Sequence, residues 1–227
     1  MSAKSNRFML DKKFLKFKNE HCSNMESTLK TRKISHNLKS DLLKIARELI
    51  KSDGLDGFDI RKLVKAANCS VGTFYNHYKG LHDLIIHING ETVDRFGEYV
   101  LHDIDSKDLP KEIIRKICLN YITYAKDNHS EWLLLLEYPV NMELPEWYQL
   151  KIDQLFKKVS HIFHPILRGP KKHTDRAVKV LWGSLHGICS LILKDKLRFH
   201  HEQDTLELCQ ELFHNYILGY RIGLGIT

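Results

Sequence analysis

The chain has 227 residues, 43% of them apolar and 28% charged, enough to bury one moderately large domain or a small domain beside a larger one. Its net charge is +7. The five cysteines include no Cys-x-x-Cys pair, which argues against a disulfide framework or zinc site and favours reduced thiols in the cytoplasm. No apolar run approaches the length of a membrane span, and the N-terminus lacks the continuous apolar segment of a secretory signal.

The positive charge is concentrated at the start of the chain. Residues 1–40 hold ten Lys and Arg against three Asp and Glu, and the remaining chain holds 25 of each. Residues 1–36 show no clear helical period or cap, so we predict a basic, disordered arm. A basic arm favours DNA binding, because Lys and Arg side chains that neutralise phosphates release the counterions held there. A solvated tail is the alternative.

Three short helices are predicted over residues 37–83. The first has apolar residues at helical spacing and ends near Gly54. Asp59 is a good N-cap for the second, and Asn68 tolerates the left-handed backbone needed at its end. Ser70 can cap the third. The core predicted for this unit consists of Leu42, Leu49, Phe58, Leu63, Val71 and Phe74.

The third predicted helix presents hydrogen-bonding side chains to solvent. Thr73, Tyr75, Asn76 and His77 are on its outward side, and Gly72 has no side chain to hold the helix away from a surface. Such a face suits a groove lined with base edges and phosphates. We therefore predict a helix-turn-helix that binds double-stranded DNA.

The segment that follows is more specific than a helix pair alone. Residues 74–78 are FYNHY, a break follows at Lys79-Gly80, and Asp83-Leu84 opens another helix. Together with the preceding caps, this pattern resembles the DNA-binding end of tetracycline-repressor (TetR) family regulators. The resemblance covers residues 38–100 with specific motifs and the rest of the chain more loosely.

Two positions depart from the family pattern. Asn68 stands where Gly is usual, and Gly80-Leu81 stands where Ser-Lys is usual, so Lys79 is the nearest replacement for a phosphate-binding lysine. The predicted DNA contacts combine the outward face with the capping serine and nearby cations: Arg61, Lys62, Ser70, Thr73, Tyr75, Asn76, His77 and Lys79.

The rest of the chain, residues 84–227, is predicted to be a larger helical domain, which the resemblance implies binds a ligand and dimerises. Helical spacing and proline positions predict helices over residues 81–101, 110–127, 132–138, 145–163, 174–194 and 203–220. No alternating strand pattern occurs, so the predicted fold class is all-α.

A dimer seam is predicted in the last two helices. Gly183 and Gly187 recur on one face, where close approach of another helix would compensate their cost of about 1 kcal/mol each. Intramolecular packing is the alternative, and the resemblance favours a homodimer. The interface residues predicted are Gly183, Gly187, Cys209, Leu212, Tyr216 and Tyr220.

Aromatic and histidine residues in the second domain could line a pocket for a small-molecule effector, as the resemblance implies, or belong to an ordinary core. Trp182, His186 and Gly187 also resemble the Trp-His-Gly signature of one C-terminal subgroup of the family. The pocket residues predicted are Tyr121, Tyr124, Trp132, Trp147, His161, Trp182 and His186.

The fourteen histidines raise the possibility of a metal site. His161 and His164 are three apart on a predicted helix, but no third ligand stands at a diagnostic spacing. We also find no Gly-rich phosphate loop and no nucleophile elbow. No catalytic residue, metal or cofactor is therefore predicted, and the protein is not expected to be an enzyme.

These features predict a dimeric transcriptional regulator, most simply a repressor, that binds a near-palindromic operator and is released by a small ligand. Two alternatives stay open. One is a non-specific nucleic-acid-binding protein that uses the basic arm, and the other is a metal sensor that uses the histidines.

Overall fold

The computed structural model describes residues 38–140, 143–197 and 202–226. Within these ranges the chain forms nine α-helices and no strand, which confirms the predicted all-α class. The basic arm predicted over residues 1–36 lies outside the described residues. In chain order the helices are α1 Leu38–Asp53, α2 Ile60–Ala66, α3 Val71–Tyr75, α4 Leu81–Val100, α5 Pro110–Asp127, α6 His129–Glu137, α7 Glu146–Leu167, α8 Lys171–Leu193 and α9 Glu202–Gly223.

The chain divides into two compact units between Gly80 and Leu81. In the first unit α1 packs on α2 and α2 packs on α3. Leu42, Leu63 and Phe74 are completely buried in its core. Removing such side chains from water supplies about 1.5–3 kcal/mol each, which fixes the three short helices against one another.

Local capping interactions set the helix ends of the first unit. An Asp59 carboxylate oxygen accepts the Arg61 backbone N–H at 2.9 Å, and Ser70 Oγ accepts the Thr73 N–H at 3.0 Å. Asn68 has a φ of 52°, in the left-handed region that the sequence predicts for it. The predicted turn between α2 and α3 is confirmed in these details.

Two residues of the predicted core lie elsewhere. Val71 is 43% exposed, because it is the first residue of a five-residue helix that turns only Phe74 inward. Leu49 is half-buried beside the fully covered face of α1. Tyr78, which is absent from the predicted core, is 1% exposed instead, and its hydroxyl donates to the Lys39 carbonyl at 2.9 Å.

The second unit is a helical bundle around one large core. Helix α4 packs on α5, α6 and α7, α7 packs on α8, and α9 packs on α5, α7 and α8. The core includes Phe96 from α4, Tyr121 from α5, Trp132 from α6, Leu185 from α8 and Phe213 from α9. All five of these helices therefore contribute buried side chains to a single apolar interior.

Helix α7 runs past the predicted end near residue 163. Pro165 is inside its last turn, and the helix ends at Leu167. Because proline has no N–H to donate to the carbonyl four residues earlier and its ring crowds that carbonyl, the helix continues for only two residues beyond it. Arg168 then takes a left-handed φ of 57° and donates its N–H to the His164 carbonyl at 2.9 Å.

Among the described helices, α8 alone is long and apolar enough to cross a membrane, with a mean hydropathy of 1.2. One such helix is a weak indication, since a core helix passes the same test. Thr174, Leu181 and Leu185 of α8 are buried inside the bundle.

Candidate nucleic-acid interface and aromatic core

The start of α3 is held by a compact hydrogen-bonded cap. Ser70 Oγ, besides accepting the Thr73 N–H, lies 2.8 Å from Thr73 Oγ1. Either hydroxyl can donate in that pair. Thr73 is half-exposed, and its hydroxyl has a partner inside the cap.

The end of α3 carries exposed polar and aromatic side chains. Tyr75 is 54% exposed, and its ring meets the buried Phe74 ring edge-on with the centroids 5.2 Å apart. Asn76 and His77 follow it on the surface. Because Phe74 anchors this segment to the core, the three neighbouring side chains have a defined direction.

Gly72 has open space around it. A Cβ placed there would have one close neighbour among the described residues, Ser70 Oγ at 3.7 Å, which is an ordinary contact. Packing within the described part of the unit therefore does not require glycine at this position. A glycine on the exposed face of a helix allows another surface to approach the backbone closely.

The cations predicted beside this face differ in their surroundings. Arg61 and Lys79 are exposed. The Lys62 ammonium donates to the Gly57 carbonyl at 2.9 Å and pairs with Asp53 at 3.3 Å. Lys62 thus ties α2 to the turn that precedes it, a contact that its sequence position alone does not reveal.

In the second unit, four of the predicted pocket residues form one connected cluster. The Trp132 indole N–H donates to the Tyr121 hydroxyl at 3.3 Å, and that hydroxyl lies 3.2 Å from Nδ1 of His186. The Trp182 ring meets the Tyr121 ring edge-on at 5.4 Å. Burial strongly raises the pKa of Tyr121, and burial also lowers the pKa of His186.

Phe96, which is absent from the predicted pocket, is at the centre of these rings. Its centroid lies 5.5 Å from Tyr121, 5.3 Å from Trp182 and 5.0 Å from Tyr124, in each case edge to face. Edge-to-face pairs add about 0.5–1.5 kcal/mol each beyond burial. The available signal is an aromatic residue at helical spacing on α4, but nothing local distinguishes it from other core positions.

Tyr124 joins the cluster through Phe96, and the other two predicted pocket residues lie apart from it. Trp147 packs beside His87 with the ring centroids 5.0 Å apart, and His161 is exposed on α7. The cavity beside the cluster, lined in part by Tyr121 and Trp182, has a volume of about 30 Å³. This volume is far below the roughly 300–1,000 Å³ of small-molecule sites.

The predicted seam glycines face open space. Apart from its chain neighbours and the adjacent backbone of α8, a Cβ on Gly183 or Gly187 would meet no heavy atom of the described residues within 4 Å. Val180 and Leu191 flank them on the same side of α8 and are 42% and 47% exposed. An apolar stripe with small residues at its centre therefore runs along the outside of α8.

The predicted interface residues of α9 divide into two groups. Cys209 is completely buried in the core, where it contacts Cys189, so it cannot lie on an interface surface. This part of the prediction is corrected: the stripe through position 209 faces inward. Leu212, Tyr216 and Tyr220 are half-buried and pack at the edge of the core.

A polar cluster that no sequence motif indicates lies near His186. Glu137 accepts from Ser190 Oγ at 2.9 Å and from the Lys194 ammonium at 2.6 Å, and the lysine chiefly lowers the pKa of the carboxyl. As for metals, no three His, Cys, Asp or Glu side chains lie close enough to hold an ion within the described ranges.

Comparison with known families agrees with this architecture. Residues 42–88 match bacterial regulatory proteins of the tetR family, and residues 114–216 match the tetracyclin repressor-like C-terminal domain. The chain therefore belongs to the TetR family, and its fold is that of a DNA-binding transcription regulator. The Trp-His-Gly subgroup stays a prediction.

Solved structures share the fold at low sequence identity. A protein of unknown function from Rhodococcus sp. RHA1 is 15% identical over 82% of this chain and 96% of that one, with a TM-score of 0.67. A tetR-family regulator from Shewanella sp. PV-4 is 14% identical over 78% and 96%, with a TM-score of 0.61. The multidrug binding protein EbrR complexed with imidazole is 16% identical over 77% and 93%, with a TM-score of 0.53. No curated protein sequence matches the chain.

Proposed function

We propose that the protein is a transcriptional repressor that binds a near-palindromic operator as a homodimer and is released by a small ligand. The observation that carries this proposal is the exposed face of α3, where hydrogen-bonding side chains surround Gly72 and its open space. A short helix with such a face fits the major groove, where its side chains reach base edges.

The side chains of α3 and the turn after it have separate roles in this proposal. Asn76 is assigned to a base edge, because an amide can donate and accept at once. Thr73 offers its methyl group to a thymine while its hydroxyl stays with Ser70. Tyr75 and His77 are assigned to phosphates, which orient the helix without reading sequence.

The surrounding cations are assigned to the DNA backbone. Arg61 and Lys79 are exposed on the same unit and are proposed to contact phosphates. Lys62 is proposed to contribute less, because its ammonium already binds the Gly57 carbonyl and Asp53. By count residues 41–100 hold eight Lys and Arg against nine Asp and Glu, so phosphate attraction depends on placement and on the arm.

Dimerisation is proposed to use the exposed stripe of α8 and the flank of α9 that carries Leu212 and Gly219. The open space at Gly183 and Gly187 supports a seam over intramolecular packing, because no described side chain of the same protomer occupies it. Two recognition helices of a dimer must lie about 34–36 Å apart, or a multiple of one DNA turn, to enter successive major grooves.

The effector is proposed to bind at the aromatic cluster of Tyr121, Trp132, Trp182 and His186. Its hydrogen-bonded hydroxyl and imidazole would give an otherwise apolar site the polar groups that orient a ligand. Because the cavity there is about 30 Å³, a ligand must displace side chains to enter. Such a ligand shifts the dimer away from DNA only by its differential affinity for the two conformations.

The proposed regulator acts by binding alone, without catalysis, in the cytoplasm. Selection of bound duplexes from a random pool tests the proposal directly. A repressor of this kind should enrich an inverted repeat, with half-sites spaced for two recognition helices. If the protein binds the pool but enriches no sequence and no inverted repeat, it is a non-specific nucleic-acid-binding protein.

A matched pair of variants tests the placement of α3. The double variant Tyr75→Ala and His77→Ala should bind the selected operator and random DNA more weakly to similar degrees. The control, Tyr99→Ala with His102→Ala, removes an exposed tyrosine and histidine from the second unit and should bind normally. Equal binding by the two folded double variants would contradict the placement of α3.

A further inference from the structure

A large groove lies on the surface of the second unit, away from the aromatic cluster. It has a volume of about 710 Å³ and lies between the start of α5, the end of α7 and one flank of α9. We call it the α5–α9 groove. Its volume is within the roughly 300–1,000 Å³ typical of small-molecule sites.

The α5–α9 groove combines apolar and cationic surfaces. Ile114, Ile166 and Ile217 contribute to its lining and are themselves 8%, 3% and 7% exposed, so they form a rigid apolar base. Leu218, half-exposed on α9, extends this surface outward. An apolar molecule lying here would therefore cover the Leu218 side chain, which is otherwise in contact with water.

The charges around the groove are unbalanced. Lys111, Arg168 and Arg221 come from three separate segments, and Glu211 is the one carboxylate among the described residues of the lining. The groove thus carries a formal charge of +2 with histidine neutral. Residues 81–227 as a whole hold 18 Lys and Arg against 20 Asp and Glu, a balance of −2, so the positive groove is a local exception.

Arg221 is held in position at the groove wall. Its guanidinium donates through Nε and Nη2 to the Ile166 carbonyl, with the Nε distance at 3.0 Å. A guanidinium has five N–H donors in a planar fork, so donors remain for an anion after this contact. The side chain is therefore preorganised, which reduces the entropy cost of binding.

We propose that the α5–α9 groove binds an amphipathic organic anion, an apolar body that carries a carboxylate. The carboxylate meets the cations at the rim, and the apolar body lies along the isoleucines. The chain's own arm is a poor occupant, because residues 1–40 carry a net charge of +7 and would be repelled.

A second copy of the chain is also a poor occupant. At about 100° per residue, the flank of α9 that carries Glu211, His214 and Leu218 is rotated by roughly 120° from the flank that carries Leu212 and Gly219. The proposed seam uses the latter flank. A ligand in the α5–α9 groove is therefore compatible with the proposed dimer and does not depend on operator binding.

Calorimetric titration of the full-length protein with decanoate, in the absence of DNA, tests this site. Decanoate should bind once per chain, and 1-decanol and decylammonium should bind at least about tenfold more weakly, because hydrogen bonds to a charged group contribute about tenfold or more. Failure of decanoate to bind would overturn the proposal, whatever the outcome for DNA.

Two groove variants and one control locate the binding site. Lys111→Glu should weaken decanoate binding about tenfold or more and should not impair folding, because an acidic residue in the first turn of α5 complements the helix dipole. Leu218→Asp, at a half-exposed position, should weaken decanoate binding similarly.

The control Lys157→Glu makes the same charge change as Lys111→Glu, on the exposed surface of α7, and should leave decanoate affinity within about twofold of wild type. Equal decanoate affinity in the groove variants and wild type would place the ligand elsewhere and overturn the proposal.

Discussion

Tyr121 and His186 share a hydrogen bond of 3.2 Å that links α5 to α8. An indole N–H can only donate, so Trp132 uses the tyrosine oxygen as an acceptor. We assign the tyrosine proton to Nδ1 of His186, a direction that holds for the imidazole tautomer protonated on Nε2. This arrangement requires a neutral imidazole with its proton on Nε2. The lowered pKa of His186, caused first by burial and then opposed by Glu137, agrees with that form.

The first prediction concerns the pH dependence of stability. Because the pKa of His186 in the folded protein is below its ordinary value of 6.5, the unfolded chain binds more protons as pH falls. Stability contributed by the neutral imidazole is therefore complete above pH 6.5 and decreases as pH falls through the folded pKa. His186→Gln, which can still accept from Tyr121, should have a flatter profile of melting temperature between about pH 7 and pH 5.

His161→Gln is the matched control for this experiment. His161 is exposed on α7, so its replacement should leave the wild-type profile essentially unchanged. Parallel profiles for His186→Gln and wild type would show that His186 contributes no proton linkage. Such a result would also weaken the assignment of Nδ1 as an acceptor.

Features that depend on near neighbours in sequence can be predicted from the sequence alone. The caps at Asp59 and Ser70 and the left-handed turn at Asn68 each involve hydrogen bonds or backbone angles within four residues. The residue type therefore carries enough information. The same holds for the exposure of Tyr75, because its position on α3 follows from the cap.

Features that depend on distant residues cannot be predicted in this way. Tyr121 and His186 are separated by 65 positions, and Phe96 joins rings from two other helices. The apolar character of Val71 predicts a core position, but its place at the start of α3 leaves it exposed. Helical spacing predicts a surface stripe through Cys209, whereas packing of α9 turns this residue inward.

A second prediction tests the cap of α3. Ser70→Ala removes the acceptor of the Thr73 N–H and should lower the free energy of unfolding by about 1 kcal/mol. Ser70→Gly should lower it by only a few tenths, and Ser70→Asp should largely keep it. Urea denaturation of the first unit gives the free energy of unfolding of each Ser70 variant. Ser52→Ala, at an exposed position of the same unit, is the control. An equal decrease for alanine and aspartate at position 70 would contradict a capping role.

A third prediction concerns the basic arm. Deleting residues 1–24 removes six Lys and Arg and two Asp and Glu, a net decrease of four positive charges. If these residues bind DNA, the slope of log affinity against log salt should become shallower by about 0.9 for each phosphate that the shortened protein no longer neutralises. Operator affinity of the full-length and shortened proteins, measured from about 50 to 300 mM salt, provides the slopes. Identical slopes would show that residues 1–24 neutralise no DNA phosphates.

The last prediction is that α8 mediates dimerisation and that operator binding requires it. Apart from its chain neighbours and the adjacent backbone of α8, a Cβ at Gly187 would meet no described atom of its own protomer within 4 Å, so Gly187→Leu should not disturb the internal core. A facing helix would instead meet the new side chain, at a cost of about 1–3 kcal/mol that a symmetric interface meets twice. Sedimentation at low micromolar concentration should therefore shift towards monomer while the helical content is kept. Operator affinity should fall sharply, because the two recognition helices are no longer linked and each half-site is bound separately.

Glu211→Leu is the control. It adds a leucine on the flank of α9 that lines the α5–α9 groove, away from the proposed seam, and should leave the dimer intact. A Gly187→Leu protein that remains dimeric and binds the operator normally would place the interface elsewhere.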